Sequence, residues 1–338
     1  MNERLPSVTV VVAAYNHEAF IEQALQSVAD QTFQDFQFLI FDDASTDETQ
    51  ARIRDWMRSS SRSAEFVAHT KNVGICAVWN ASRRLAQAPL ICVLAGDDWF
   101  EVDRLERQVN FLREQPSDVG FVYSNVRLVD DDGYPYPTSY LDFTLGQRPR
   151  PHGWILDQMI RENVIPAPGV MVRVSALDAI GGLDETLAFE DDDMWLRICE
   201  KFQAAYLPGI VANKRGLASS LGISTEWSSR IELSRLAIDL KWLGRSPEWD
   251  RVLAMRLLAR ATQLRRRSPE VAKDAISQVA RRSTDPLGRA VARVMRVPLV
   301  TPVLGSAVRI RRRLIRRHPG QSAQAAHTEF LSADGHST

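Results

Sequence analysis

Residues 8–43 read VTVVVAAYNHEAFIEQALQSVADQTFQDFQFLIFDD. VTVVVA at 8–13 is a β-branched run with no polar alternation after Thr9, the pattern of a strand buried on both faces. Over 17–30, Phe20, Ile21, Leu25 and Val28 recur at helical spacing. FQFLIF at 36–41 is a second apolar strand. Strand, amphipathic helix and strand at these lengths predict a βαβ unit with parallel strands.

The alternation continues outward. Ser45-Thr46-Asp47-Glu48 is cap chemistry and predicts a helix over 47–58. A strand at 65–69, a helix at 74–87, the strand LICVLA at 90–95, a helix at 102–114 and a strand at 119–124 follow. The predicted class is α/β, a mostly parallel sheet flanked by helices. Ligands of such sheets bind beyond the carboxyl ends of the strands. Tyr15-Asn16 falls there on the first strand, Asp42-Asp43 on the second and Asp97-Asp98 on the fourth, so all three are expected to face one crevice. Residues 130–168, rich in Asp, Gly, Pro and Tyr, read as a long loop or lid. GVMVRV at 169–174 reads as a strand, 175–180 as a short helix, EDDDMWLRICEK at 190–201 as a helix with an acidic first turn, and 204–207 as a last strand.

With 338 residues, 45% hydrophobic and 25% charged, the chain can bury a sizeable core. Collagen, a disulfide scaffold, a polytopic membrane protein and a mainly disordered chain are excluded. The 42 basic and 42 acidic residues cancel only in total. Residues 1–250 hold 24 basic and 37 acidic side chains, and residues 251–317 hold 18 and 3. That asymmetry argues for two modules with different partners. Cys76, Cys92 and Cys199 are far apart in apolar surroundings, which predicts buried thiols in a reducing compartment. The opening residues lack the apolar region and cleavage site of a signal peptide, and no apolar run reaches spanning length. The expected location is cytoplasmic, with a peripheral position at the inner face of the cell membrane left open.

Two adjacent carboxylates at a strand end, Asp97 and Asp98, suit a divalent cation that also holds phosphate oxygens; an Asp-rich turn capping the next helix is the plainer alternative. Asp43 is either turn chemistry or an acceptor for a base or ribose edge. Glu190-Asp191-Asp192-Asp193 is either a helix cap favoured by the dipole or the source of a general base.

These residues together resemble an inverting family 2 glycosyltransferase with the GT-A fold. Tyr15-Asn16 ends the first strand, Gln31-Thr32 follows the first helix, and Asp42-Asp43-Ala44-Ser45-Thr46-Asp47 ends the second strand. Asn72, Gly74, Ala77 and Asn80 continue the match, as do Leu94-Ala95-Gly96-Asp97-Asp98 and Gly181-Gly182-Leu183-Asp184-Glu185. Glu190-Asp191-Asp192-Asp193-Met194-Trp195-Leu196-Arg197 resembles the family's ED-x-D-x-W-L-R. The likeness covers about residues 7–215, with five blocks in order.

The resemblance implies a role for each matching position. Ala14, Tyr15 and Asn16 line the nucleotide-base pocket, with Tyr15 against the base; Asp43 accepts from the base and Asp42 supports its loop. Asp97 approaches the ribose or donor sugar, Asp98 binds Mg²⁺ or Mn²⁺ bridging the diphosphate, and Asp191 is the general base. Three departures stand out. Ala95 replaces an acid often found there. Ala212-Asn213-Lys214-Arg215-Gly216 lacks the family's histidine, leaving Lys214 or Arg215 to meet phosphate. Val78-Trp79 replaces an arginine near Asn80. His152, Trp154 and the Gly169 region fall where the family builds its acceptor side, with His152 read as a surface loop residue and Trp195 as helix core.

The expected architecture is a GT-A domain over 1–215, a helical arginine-rich module over 216–317 and a disordered tail over 318–338. Helices are expected at 227–243, 248–268, 269–283 and 286–296, and a basic helix at 303–317. The module's arginines either are solvated or packed against the acidic catalytic half, or bind an anionic membrane surface through 251–317. No nucleic-acid motif is present, and no nucleic-acid partner is expected. The expected function is transfer of a sugar from a nucleotide-diphosphate-sugar, UDP-linked by default, to a glycan or lipid-linked acceptor in cell-surface polysaccharide or lipopolysaccharide synthesis. The alternatives are a non-catalytic nucleotide-sugar-binding relative and an interaction protein acting through its basic helices.

Overall fold

The structure is a computed structural model that describes residues 5–216 and 225–296. The strands are β1 Val8–Ala14, β2 Phe36–Asp42, β3 Glu65–Ala68, β4 Leu90–Ala95, β5 Trp99–Phe100, β6 Val119–Val129, β7 Pro135–Ser139, β8 Val170–Arg173 and β9 Gln203–Arg215. The helices are α1 Ile21–Ala29, α2 Thr49–Ser59, α3 Ile75–Leu85, α4 Arg104–Glu114, α5 Tyr140–Leu145, α6 Leu156–Arg161, α7 Val174–Ala179 and α8 Asp191–Cys199. After these come α9 Thr225–Trp242, α10 Pro247–Leu264, α11 Pro269–Arg282 and α12 Pro286–Met295. The chain forms two compact units. One runs to Leu156 and resumes at Val164 through β9; the other takes Asp157–Asn163 and the helices after residue 224.

The first unit is one mixed sheet in the order β3-β2-β1-β4-β8-β6-β9-β5, with β7 on β6. β3, β2, β1 and β4 are parallel, as the βαβ reading requires. Val10, Val11 and Val12 are fully buried because helices cover both faces of β1. β8 then runs antiparallel between β4 and β6, and β9 pairs parallel with β6. This is the GT-A architecture.

Two strands are longer than their sequences suggest. β6 continues to Val129 through Ser124 and Asn125, which are buried although polar. Asn125 stays in the sheet because its Oδ1 accepts from Val126 N and Leu141 N, both at 2.9 Å. β9 continues past Pro208-Gly209 to Arg215, the ladder with β6 shifting register on the way. The carbonyls of Pro208 and Ile210 are taken up by the Arg107 guanidinium at 2.9 and 3.0 Å. Residues 17–20 are a turn, so the first helix starts at Ile21 rather than 17, with His17 O accepting from Phe20 N and Ile21 N. The 130–168 segment carries β7, α5 and α6.

The second unit is helical. Ala254, Leu257, Leu258 and Ala261 of α10, Ala275, Ile276 and Val279 of α11 and Ala292 and Met295 of α12 are buried in it. Asp250, fully buried, ties it together by accepting from Gly244 N at 2.7 Å and from the Thr284 hydroxyl at 2.7 Å. The expected basic helix at 303–317 and the tail at 318–338 lie outside the described residues. No helix among the described residues is long and apolar enough to cross a membrane. Cys76, Cys92 and Cys199 are free and buried, and burial raises their thiol pKa values, that of Cys199 to about 12.

Candidate active site

The carboxyl ends of β1, β2 and β4 are tied edge to edge. Asp43 N donates to Ala14 O and Gly96 N to Ala13 O, both at 2.9 Å. Beyond Ala14, Asn16 turns the chain with φ +56° and Ala44 does so with φ +64°. Left-handed backbone is costly for a non-glycine residue and concentrates at functional loops. Here it is held by cross-links. Asn16 N donates to Ser45 Oγ, and Asn16 Oδ1 accepts from Thr46 N, both at 2.9 Å. Tyr15, thrust outward by this turn, is 37% exposed, enough for a ring face to receive a ligand.

Asp42 is fully buried. Its Oδ1 accepts from Ser45 N at 2.9 Å and Gln50 Nε2 at 2.7 Å, so its carboxylate holds the loop. Asp43 is turned to the 69–74 segment. Oδ1 accepts from Val73 N at 2.8 Å and lies 3.0 Å from His69 Nδ1, while Oδ2 accepts from Gly74 N at 2.8 Å. A carboxylate has about four acceptor positions, so Asp43 retains capacity for one further donor.

Past β4, the Asp97 carboxylate is 3.9 Å from His17 Nε2. Asp98 is 2% exposed and its Oδ1 accepts from Arg215 N at 2.8 Å. Burial raises the Asp98 pKa to about 7, against the opposing pull of the Lys214 ammonium. The two cations at the end of β9 therefore part company. Arg215 is 4% exposed and fully engaged: it donates to Asp97 O, Asp130 O, Asp131 O and Gln23 Oε1, and its guanidinium lies over the Phe20 and Trp99 rings. Lys214 has no hydrogen bond or direct ion pair at its ammonium among the described residues. Burial lowers its pKa, but the fields of Asp98, Asp97, Asp191 and Glu190 outweigh that and hold it up.

Lys214 thus marks the point where the β4 acids and the α8 acids converge. Asp191 opens α8, its Oδ1 accepting from Asp192 N at 2.9 Å. Glu190, one residue earlier, is raised in pKa by burial. Asp193 points elsewhere, buried against Arg197 at 3.3 Å. The N-cap residue, Glu190, makes no side-chain cap hydrogen bond. Trp195 is fully buried, stacked 5.1 Å from Phe121, as helix core.

The approach to α8 is fixed from α3. Asn80 Nδ2 donates to Leu183 O at 3.0 Å and Glu185 Oε1 at 2.8 Å, and Asn80 Oδ1 accepts from Leu183 N at 2.8 Å. Gly182 has φ +80°, and a Cβ there would lie 2.6 Å from Asn80 Oδ1. Arg197 closes the segment by donating to the carbonyls of Gly182 and Ile180. Asn80→Ala would leave both backbone groups of buried Leu183 unpaired, at about 1–3 kcal/mol each. We expect urea unfolding of this variant to show a loss of roughly 2–4 kcal/mol, with kcat falling more than donor affinity.

His152 and Trp154 flank Gly153 in the segment before α6. Gly153 bridges Ala204, at the start of β9, whereas Lys214 is near its end. The β6 stretch paired between these two levels, Phe121 to Leu128, spans seven residue steps, roughly 23 Å at about 3.3 Å per residue. Trp154, 63% exposed, is surface there.

A metal would have to rest mainly on Asp98. Among the described residues no three His, Cys, Asp or Glu side chains form a ligand set. Asp98 nonetheless fits one: Arg215 N uses Oδ1, leaving Oδ2 available on a buried acid beside Asp97. Mg²⁺ is commonly held by one or two carboxylates with phosphate oxygens and water completing the shell.

Comparison with known proteins identifies the family. Residues 9–178 match the family described as Glycosyl transferase family 2. The chain belongs to that family. A putative teichuronic acid biosynthesis glycosyltransferase, TuaG of Bacillus subtilis, is 26% identical over 201 residues, 60% of this chain and 75% of that protein. The chain spans 64%, 75% and 43% of the length of the first three curated relatives. Among solved structures, S. aureus TarS 1–349 in complex with UDP-GlcNAc superposes with a TM-score of 0.61 at 17% identity, covering 86% of this chain and 88% of that one. Mannosyltransferase PcManGT of Pyrobaculum calidifontis, in complex with GDP-Man and Mn²⁺, gives 0.57 at 18%, covering 98% and 89%. At those identities the likeness is one of fold.

Proposed function

We propose that this protein is an inverting glycosyltransferase that moves a sugar from a nucleotide-diphosphate-sugar, UDP-linked by preference, to an acceptor hydroxyl during cell-surface polysaccharide or lipopolysaccharide synthesis. The observation that carries this reading is that Asp97, Asp98, Glu190 and Asp191 all act electrostatically on Lys214, near the carboxyl end of β9. The UDP-GlcNAc of TarS, the GDP-Man of PcManGT and the teichuronic acid assignment of TuaG support donor class and pathway.

In this reading Tyr15 stacks on the base, Ala14 and Asn16 form the pocket wall, and Asp43 accepts a base N–H in its remaining position. Asp42 holds the loop, and Asp97 faces the ribose or donor sugar. Asp98 would hold Mg²⁺ or Mn²⁺, which when bound supplies charge stabilisation to the diphosphate. Lys214, free of direct partners, offers a second positive charge to the same phosphates. Asp191 takes the proton from the acceptor hydroxyl as its oxygen bonds to the anomeric carbon. The bond from that carbon to the phosphate oxygen breaks on the opposite side, and configuration inverts.

The anomeric configuration of the product, read by NMR coupling constants, tests this reading. The opposite configuration to the donor is expected, and retention would refute the single displacement. A pH dependence also follows. With its folded pKa raised to about 7, Asp98 favours the unliganded fold below its unfolded value of about 3.8, and that contribution is lost as pH rises through 7. Cation binding has the opposite sense, because a proton competes for Asp98. Mn²⁺-dependent donor affinity is expected to fall about tenfold per pH unit below 7, as measured by calorimetry at pH 6 and pH 8.

A further inference from the structure

The last described helix, α12, carries three distinct stripes. Gly288, Ala292 and Met295 are buried, and Gly288 is packed so closely that a Cβ there would lie 2.7 Å from Ala254 Cβ. Asp285 caps the helix, its Oδ2 accepting from Gly288 N at 2.6 Å, and the close packing of Gly288 on Ala254 fixes the rotation of α12 on the bundle. On another side, Leu287, Ala290, Val291 and Val294 recur at i, i+3, i+4 and i+7, with Leu287 44% and Val294 42% exposed. On the third side stand Arg289, Arg293 and Arg296, with no side-chain hydrogen bond or ion pair among the described residues.

A bundle helix ordinarily turns charged and polar groups to solvent. An apolar stripe exposed beside a row of arginines is instead the pattern of a helix lying in a membrane interface. From Pro286 to Arg317 the sequence contains nine arginines and no acidic residue. That composition selects the occupant. A second copy docking on this face would bring its arginines against these. The chain's own 297–317 segment holds six arginines and no acid, so it does not complement the face either. A nucleic acid would leave the apolar stripe unused, and 286–317 has no aromatic residue on which bases could stack. We infer that α12 is a docking surface for an anionic phospholipid bilayer, its Leu287–Val294 stripe entering the acyl boundary and Arg289, Arg293 and Arg296 meeting lipid phosphates.

The inference stands independently of the transfer chemistry and is tested without it. The full chain is sedimented with vesicles of phosphatidylcholine and of 7:3 phosphatidylcholine–phosphatidylglycerol. Binding to the mixed vesicles only, weakened by high salt, is expected. Leu287→Glu with Val294→Glu should reduce partitioning at least tenfold. Arg289→Glu, Arg293→Glu and Arg296→Glu together should reduce it roughly a hundredfold. The positions changed are exposed or, at Arg289, half-buried, and unchanged circular dichroism melts would show that the fold is intact. Equal binding to both vesicle types, binding to neither, or full binding by the Leu287→Glu/Val294→Glu variant would overturn the inference. So would a concentration-dependent dimer in light scattering that this double variant abolishes, which would assign the face to a second copy.

Discussion

Asp191→Asn should lower kcat by about 10²–10⁴-fold while changing donor affinity less than about twofold. The substitution is nearly isosteric, and the asparagine Oδ1 can still accept from Asp192 N, so the start of α8 is preserved. What is lost is basicity at the acceptor hydroxyl. The donor site is not weakened electrostatically, because removing a negative charge near Lys214 leaves that ammonium more available to phosphate. Single-turnover kinetics with calorimetry of donor binding separate the two quantities. Full activity in the variant would move the base to another group, with half-buried Glu190 next in line.

Asp98→Asn should do the reverse. The asparagine Oδ1 can keep the bond from Arg215 N, so the end of β9 stays in place. The charge that would hold the cation disappears. Metal-dependent donor binding should fall at least a hundredfold, several kcal/mol being the usual worth of such a cation. The unliganded protein should melt no lower at pH 8 and somewhat higher, because a desolvated carboxylate has been replaced by a neutral group. A fold that tightens as binding is lost is the signature of a residue kept for function rather than stability. An unchanged Mn²⁺-dependent donor affinity would place the cation elsewhere.

The parallel half of the sheet and the clustering of polar groups at its carboxyl end could be read from residues 8–98, because buried parallel strands leave continuous apolar runs and their ends punctuate sharply. β9 could not be read in full. Pro208-Gly209 has the composition of a turn, and only the Arg107 guanidinium taking up the neighbouring carbonyls shows how the strand survives it. Lys214 and Arg215 are equivalent cations in sequence. Burial, four acceptors and two aromatic rings immobilise Arg215, and that environment is assembled from residues as distant as Phe20 and Asp131. Asn80 stood out in the resemblance, but its hold on Leu183 crosses 103 positions and has no local signal.

The most direct test of a nucleotide-sugar site built on Asp43, Asp98 and Lys214 is the melting temperature of the full chain titrated with UDP, GDP and dTDP and their sugars, with and without Mn²⁺. Stabilisation should grow with the logarithm of ligand over Kd. One nucleotide family is expected to raise Tm in a Mn²⁺-dependent manner, and Asp98→Asn should remove that shift. No shift with any nucleotide, in the presence or absence of Mn²⁺, would contradict the donor site.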